Sequence, residues 1–118
     1  MIRLVVGILF VFISGCSGDI TDPDDIVFPP INVSFGMHIQ PLLNLSCNSQ
    51  GCHGEGAQTK LTSWGGVRAL NVVNQPGDTN CGLVNVVYGR TETHWPVNVN
   101  SNHRQGIKQW VIEGAQNN

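Results

Sequence analysis

The sequence predicts a small domain built mainly of α-helices. Apolar residues recur at the spacing of one helix face between Phe35 and Leu43, and again between Ile107 and Val111. Asn100, ahead of the second stretch, is a good N-cap for a helix. The chain has 118 residues, enough for one domain with a modest core. A domain of this size often depends on a disulfide, a metal or a cofactor for its stability.

Residues 1–15 form a predicted leader. Arg3 supplies its positive charge, and Leu4–Ile13 is an apolar run of the kind found in signal peptides. The run is short for a membrane span, because a spanning helix needs ~20 apolar residues. Ser14-Gly15-Cys16 then resembles a bacterial lipobox, in which small residues precede a cysteine. An ordinary signal peptide with an incidental cysteine is the alternative.

The lipobox resemblance implies that Cys16 becomes the N-terminus of the mature chain and carries the lipid. Several acyl chains on one residue give durable anchoring to a membrane. Ser17, rather than Asp, follows this cysteine, and in the lipoprotein pattern that favours transport to the outer membrane. We therefore expect an exported protein, anchored at the periplasmic face of the outer membrane or at the cell surface.

Residues 16–33 predict a tether between the lipid and a folded domain that spans 34–118. The tether is acidic and rich in proline: Asp19, Asp22, Asp24, Asp25, Pro23, Pro29 and Pro30. This composition, with little apolar periodicity, predicts a mobile segment. Beyond Arg3 the chain has five basic and eight acidic residues. This balance argues against a nucleic-acid partner, because such binding calls for a basic face.

Helical patterns follow one another along the folded domain. In the first helix, Pro41 fits only in the first turn or at a bend. A second short helix is predicted with Thr62 or Ser63 as its cap. Its apolar residues recur every three positions: Leu61, Trp64, Val67 and Leu70. The Leu83–Tyr88 run is ambiguous, since its β-branched residues favour a strand.

The last helix has the clearest boundaries. It begins after Asn100, and Gly114 supplies a C-terminal stop. Gly106 lowers the stability of this helix by roughly 1 kcal/mol relative to alanine. A glycine at that position also permits a close helix–helix contact.

Cys47-Asn-Ser-Gln-Gly-Cys52-His53 is the most informative motif of the chain. In an exported protein, two cysteines followed by a histidine indicate a covalent haem attachment site, in which both thiols add to the haem vinyl groups. The imidazole is then held next to the iron as an axial ligand. The usual motif has two residues between its cysteines, whereas this one has four. The separation of the haem vinyl groups is fixed, so the two extra residues must bulge out of the motif. Gly51 and the small Ser49 are suited to such a bulge.

The order of motifs resembles that of the class I c-type cytochromes. The resemblance rests on Ile39-Gln-Pro-Leu-Leu43, Cys47…Cys52-His53-Gly54, Leu61-Thr-Ser-Trp64, Gln75-Pro-Gly-Asp78 and Trp110-Val-Ile-Glu-Gly-Ala115. It implies an all-α, cytochrome c-like fold with three to five short helices around one covalently bound haem c. It also favours a helix for Leu83–Tyr88.

The resemblance further implies how the haem is held. Cys47 and Cys52 would form the thioethers, and His53 would be the proximal iron ligand. Apolar side chains would enclose the porphyrin, among them Leu42, Leu61, Leu70, Leu83, Trp110 and Val111. A dry pocket raises the reduction potential, because the oxidised iron carries the extra charge.

The sixth iron ligand is where the chain departs from the family pattern. That pattern places Met before a proline ahead of the last helix, but here Trp95 precedes Pro96. Trp does not ligate iron, so the adjacent His94 becomes the first candidate for the second axial ligand. Further candidates are His38, His103 and Met37, although a first-turn helix position is the simpler interpretation of His103. The remaining alternative is an iron without a sixth protein ligand, at an open or water-bound distal site.

These features together predict a lipid-anchored monohaem c-type cytochrome, an electron carrier and not an enzyme. Its partners would be redox proteins of the periplasm or cell surface. One alternative is a haem module with an open distal site that responds to gases or peroxide. Others are a haem-free lipoprotein with a Cys47–Cys52 disulfide, and a zinc site formed by these cysteines with His53 and Cys81. In the haem hypothesis Cys81 is free, buried or bonded to another chain.

Overall fold

The structure, a computed structural model, describes residues 18–49, 52–54, 56–69, 72–91, 94, 97 and 99–118. In these residues there are helices and turns but no β-strand, which confirms the all-α class for this part of the chain. None of the helices so described has the length and apolar character needed to cross a membrane. The predicted leader and Cys16 lie outside the described residues.

The helices follow the order expected from the sequence. A 3₁₀ turn at Pro23–Asp25 and a π-helical turn at Phe35–Ile39 precede four α-helices of the described residues. These are α1 (Gln40–Ser46), α2 (Trp64–Val67), α3 (Gly82–Val87) and α4 (Ser101–Ile112).

The first predicted helix begins at Phe35, but its first turn is a π-helix. The Ser34 hydroxyl accepts a hydrogen bond from the Met37 N–H, and the Gln40 N–H donates to the Phe35 carbonyl. Pro41 follows directly and has no N–H to continue a regular ladder. The i→i+5 hydrogen bonds of the π-helix therefore end at the first turn of α1, which contains Pro41.

The two middle helices agree with their predicted positions. The Ser63 hydroxyl caps α2 by accepting from the Gly66 N–H at 3.2 Å. The ambiguous run forms α3 and buries Leu83, Val84 and Val87, so the strand interpretation is wrong. Packing of these side chains on the core outweighs the weak helix propensity of β-branched residues. Leu70 lies outside the described residues.

The last helix has the predicted ends. The Asn100 side chain accepts from the His103 N–H at 3.0 Å. The His103 Nδ1 accepts in return from the Asn100 N–H at 3.3 Å. Gly114, with φ of 104°, allows the chain to leave the helix. Ile107, Trp110 and Val111 are buried on the inner face of α4.

The segment predicted to be a mobile tether is packed on α4 in its second half, so that expectation is wrong for these residues. We call residues 22–33 the strap. Its apolar side chains Ile26, Phe28 and Val33 are buried in the core. Burial of such side chains stabilises by ~1.5–3 kcal/mol each, which offsets the entropy cost of ordering the chain.

Gly106 provides the seat for the strap on α4. A Cβ at this position would collide with the Phe28 ring, so the close contact is with the strap and not with another helix. Asn102 fixes the same point, since the Phe28 N–H donates to its Oδ1 at 2.8 Å. Its amide nitrogen donates back to the Phe28 carbonyl at 3.1 Å.

Glu113 at the end of α4 holds the other end of the strap. Its carboxylate accepts from the Asn32 N–H at 2.7 Å and from the Val33 N–H at 2.9 Å. The Gln109 amide donates to it at 3.0 Å. The Gln109 hydrogen bond and then these two N–H groups lower the pKa of the Glu113 carboxyl, because they stabilise its charged form.

Candidate functional site

A cavity of about 280 Å³ lies between the chain that follows α1 and helix α3. Its wall is mostly apolar and contains three residues of chemical interest, Cys47, His53 and His94. The remaining lining residues are Thr59, Leu61, Val72, Gly82, Leu83, Val86, Val87 and Thr91. The site therefore combines one thiol and two imidazoles with a mostly apolar surface.

A tight turn after α1 brings His53 back beside Cys47. The Cys47 N–H donates to the Leu43 carbonyl at 2.8 Å, and the Cys47 carbonyl accepts from the His53 N–H at 3.0 Å. Gly54 is buried at this turn, where a Cβ would lie 2.6 Å from the Asn48 carbonyl oxygen. Only glycine fits so close to the backbone.

The His53 ring has a fixed orientation. Its Nδ1 lies 2.8 Å from the Thr59 carbonyl oxygen. A carbonyl oxygen only accepts hydrogen bonds, so we assign the ring proton to Nδ1. Nε2 then keeps its lone pair, the arrangement found in histidines that bind metals through one ring nitrogen.

His94 lies close to His53 in the same cavity. The two ring centroids are 5.9 Å apart, and the ring planes differ by only 4°. Two imidazole nitrogens, each ~2 Å from a shared metal ion, bring the ring centres to roughly this separation. Parallel rings at this distance also fit an ordinary aromatic pair. Substitution of His94 distinguishes a metal site from an aromatic pair, because only a metal site would lose a metal-dependent absorption signal.

The described cysteines are all free thiols. Cys47 is half-buried on the cavity wall, Cys52 is exposed, and Cys81 is buried at the start of α3. Burial, and to a smaller extent the neighbouring Cys52, raises the pKa of the Cys47 thiol to about 11. This thiol is therefore protonated at neutral pH, which slows disulfide formation because the thiolate is the attacking species.

The other candidate ligands do not line the cavity. His38 Nδ1 accepts from the Ser34 N–H at 3.0 Å, and its ring lies against Phe28. His103 is fully buried in the first turn of α4, with Nε2 3.0 Å from the Ile26 carbonyl oxygen. Met37 is 72% exposed. His94 is thus the candidate that the fold brings to His53.

The predicted cavity wall is correct only in part. Leu61 and Leu83 line the cavity, whereas Leu42, Trp110 and Val111 are buried in the core away from it. Val86 and Val87 also line the cavity and were not among the predicted residues, although Leu83, Val86 and Val87 follow the spacing of one helix face. Thr59 was missed as well, because it acts through its carbonyl group, which no residue type reveals.

Within the described ranges, no group of three or more His, Cys, Asp or Glu side chains could hold a metal ion by itself. Cys47, Cys52, His53 and Cys81, the proposed zinc ligands, therefore do not gather into such a site.

A second cavity of about 350 Å³ adjoins the first. The two share Val86, Val87, Thr91 and His94, so His94 lies on a wall common to both.

Comparison of the chain with protein-family models, curated proteins and solved structures gave no match. Support for a function therefore comes from the sequence motifs together with these cavities and the residues that line them.

Proposed function

We propose that this chain is a lipid-anchored monohaem c-type cytochrome that carries single electrons between redox partners of the periplasm or cell surface. The observation that carries the proposal is the pair of parallel imidazoles, His53 and His94, in one apolar cavity with Cys47. Cys47 and Cys52 would hold haem c through thioethers, and His53 and His94 would bind its iron. When bound, it supplies one-electron oxidation and reduction.

The residues present fit such a group in size and polarity. Cofactor sites typically enclose ~300–1,000 Å³; the first cavity, of about 280 Å³, is near the lower end of that range, and the second cavity adjoins it. The wall of the first cavity is mostly apolar, which suits a porphyrin face. Only one or two protein side chains need to reach the iron of a haem, so a larger cluster of ligands is not needed.

The side chains of the site have separable roles. The Thr59 carbonyl holds the His53 ring so that Nε2 presents its lone pair. Leu61, Leu83 and Val87 exclude water, which favours the reduced state because the oxidised state carries more charge. A second imidazole in place of a thioether lowers the potential relative to His/Met coordination.

The anchoring part of the proposal rests on the N-terminal sequence. The leader and the lipobox that ends at Cys16 support export and lipidation. Lipid attachment would concentrate the carrier at the outer membrane, so electrons would pass between partners that meet it there.

We predict that the His94→Ala variant loses the low-spin absorption spectrum of the reduced protein and gains the ability to bind carbon monoxide. The reason is that the substitution would remove one of the two histidines proposed to bind the iron and leave a place for carbon monoxide. The measurement is an absorption spectrum of the reduced protein with and without carbon monoxide. His38→Ala is the matched control, because His38 does not line the cavity, and it should behave like the wild type.

Two outcomes would count against this assignment. An unchanged His94→Ala spectrum would exclude His94 as a ligand. Ready binding of carbon monoxide by the reduced wild-type protein would favour the alternative, a haem module with an open distal site.

A further inference from the structure

The exposed apolar side chains of the described residues are concentrated near the N-terminus. Four of the six large ones belong to Ile20, Val27, Ile31 and Met37, and the other two are Leu45 and Ile112. Val27 and Ile31 belong to the strap and are 71% and 60% exposed. They point away from the core, whereas their neighbours Ile26, Phe28 and Val33 are buried.

Ring contacts bring part of this set together. The Phe28 and His38 ring centroids are 5.5 Å apart, and Val27 and Met37 directly precede these two residues. The backbone at Val27 is therefore near the backbone at Met37, and both side chains are exposed. We call Val27, Ile31 and Met37 the outer strap surface.

The strap is held firmly on the domain. Its contacts with α4 are the Phe28–Asn102 hydrogen bonds, the Glu113 carboxylate and the seat at Gly106. The Asn100 amide adds a bond to Asp24 at 3.0 Å. The outer strap surface cannot swing away from the rest of the domain while these contacts persist.

Only a short stretch of chain separates the strap from the proposed lipid anchor. Asp22 follows Cys16 by six residues, and six extended residues reach at most ~20 Å. The strap must therefore lie close to the bilayer that holds the anchor. The domain has little freedom to move far from that surface or to face it at random.

From these observations we propose that the outer strap surface docks on the lipid bilayer that holds the anchor, an inference that rests on the proposed lipidation of Cys16. Insertion of aliphatic side chains between headgroups is favourable, because it removes apolar surface from water. Asp19, Asp22, Asp24 and Asp25 lie on the same segment and are repelled by anionic headgroups. The preferred surface is thus one of zwitterionic lipids, and the domain presents a fixed face to its redox partners.

The test uses the lipidated, haem-loaded chain in vesicles of phosphatidylcholine and phosphatidylethanolamine. Hydroxyl-radical oxidation of Met37, read by mass spectrometry, reports whether its thioether is covered. We expect oxidation to be several-fold slower in the wild type than in a Val27→Ser/Ile31→Ser variant. Leu45→Ser is the matched control, because Leu45 is an exposed aliphatic residue outside the strap, and it should leave Met37 protected.

A second arm varies the lipid. Addition of phosphatidylglycerol at low salt should weaken the protection of Met37, and added salt should restore it. Equal oxidation rates in the wild type and the Val27→Ser/Ile31→Ser variant would overturn the docking proposal while leaving the haem proposal intact. A mass without lipid on Cys16 would overturn docking and anchoring together. The haem spectrum is measured on the same samples and is independent of both.

Discussion

At the residue scale, the haem hypothesis depends on which ring nitrogen His53 presents to the cavity. The Thr59 carbonyl oxygen accepts a hydrogen bond from the Nδ1–H of His53, so Nε2 is the nitrogen with a lone pair. The cysteine motif pointed to Cys47 and His53 from sequence alone. It did not reveal the orienting carbonyl, because backbone groups have no residue signature and the turn that places Thr59 depends on tertiary packing.

Cys47 and Cys52 should differ in reactivity in the haem-free chain. Burial is the main cause of the raised pKa of Cys47, about 11, so only a small fraction of this thiol is ionised at pH 8. We predict that iodoacetamide modifies Cys52 much faster than Cys47 at pH 8, and that the Cys47 rate rises steadily towards pH 11. Peptide mass spectrometry after timed quenching measures both rates.

Cys52→Ser is the control for this comparison. It removes the smaller cause of the pKa shift and leaves the burial, so Cys47 should stay slow. Rapid modification of Cys47 at pH 8 in either protein would contradict the buried position of its thiol.

At the element scale, helix α4 is the main contact of the strap, through Gly106, Asn102 and Glu113. Its inner face also contributes side chains to the core. Its ends were predictable, since capping by Asn100 and termination at Gly114 are local properties of the sequence. The strap was not predictable. Ile26, Phe28 and Val33 have neither helical nor strand periodicity, and their partners on α4 are more than seventy residues away.

Gly106→Ala tests the seat of the strap. Helix propensity alone predicts a gain of ~1 kcal/mol, but the added methyl group would collide with the Phe28 ring. Overpacking of this kind costs ~1–3 kcal/mol, so we predict a net loss in the free energy of unfolding. Urea denaturation measures it.

Two further variants complete this test. Gln105→Ala, at an exposed neighbouring position of α4, should have little effect on stability. In a Phe28→Gly background, which removes the Cβ as well as the ring that a methyl group at position 106 would meet, Gly106→Ala should become neutral or stabilising. Equal losses in both backgrounds would contradict the proposed contact.

Glu113 predicts a pH dependence of stability. The Gln109 amide and the strap N–H groups lower the pKa of this carboxyl from its ordinary 4.5. Its contribution to the free energy of unfolding is therefore fully present above about pH 4.5, and it is lost as pH falls through the lowered folded-state value. We predict that Glu113→Gln is less stable than the wild type at pH 6 and that the difference shrinks at lower pH.

Denaturation curves between pH 3 and pH 6 measure this change. Asp19→Asn, which removes an exposed charge of the same sign, is the control and should not reproduce it. A stability difference that stays constant over this range would exclude the carboxylate as the clasp of the strap.

At the scale of the whole molecule, the fold places one apolar cavity with two imidazoles and a thiol on a domain whose N-terminal strap leads towards the proposed lipid anchor. Sequence periodicity predicted α1, α2 and α4, whereas the helix at Leu83–Tyr88 was favoured only by the family resemblance. The position of His94 next to Trp95-Pro96 made it the first candidate for the second ligand, but its proximity to His53 depends on tertiary packing that no local pattern reveals. In the proposed function, this arrangement would serve electron transfer close to a membrane.

The intact mass of the exported protein shows whether haem is covalently attached. The protein is produced in a strain that matures c-type haem and is measured under denaturing conditions, so that only covalently attached groups remain. We expect one haem on each wild-type chain and none on a Cys47→Ser/Cys52→Ser variant. A colourless wild-type protein would contradict covalent haem attachment, above all if its mass is two hydrogens below that of the reduced, haem-free chain because Cys47 and Cys52 form a disulfide.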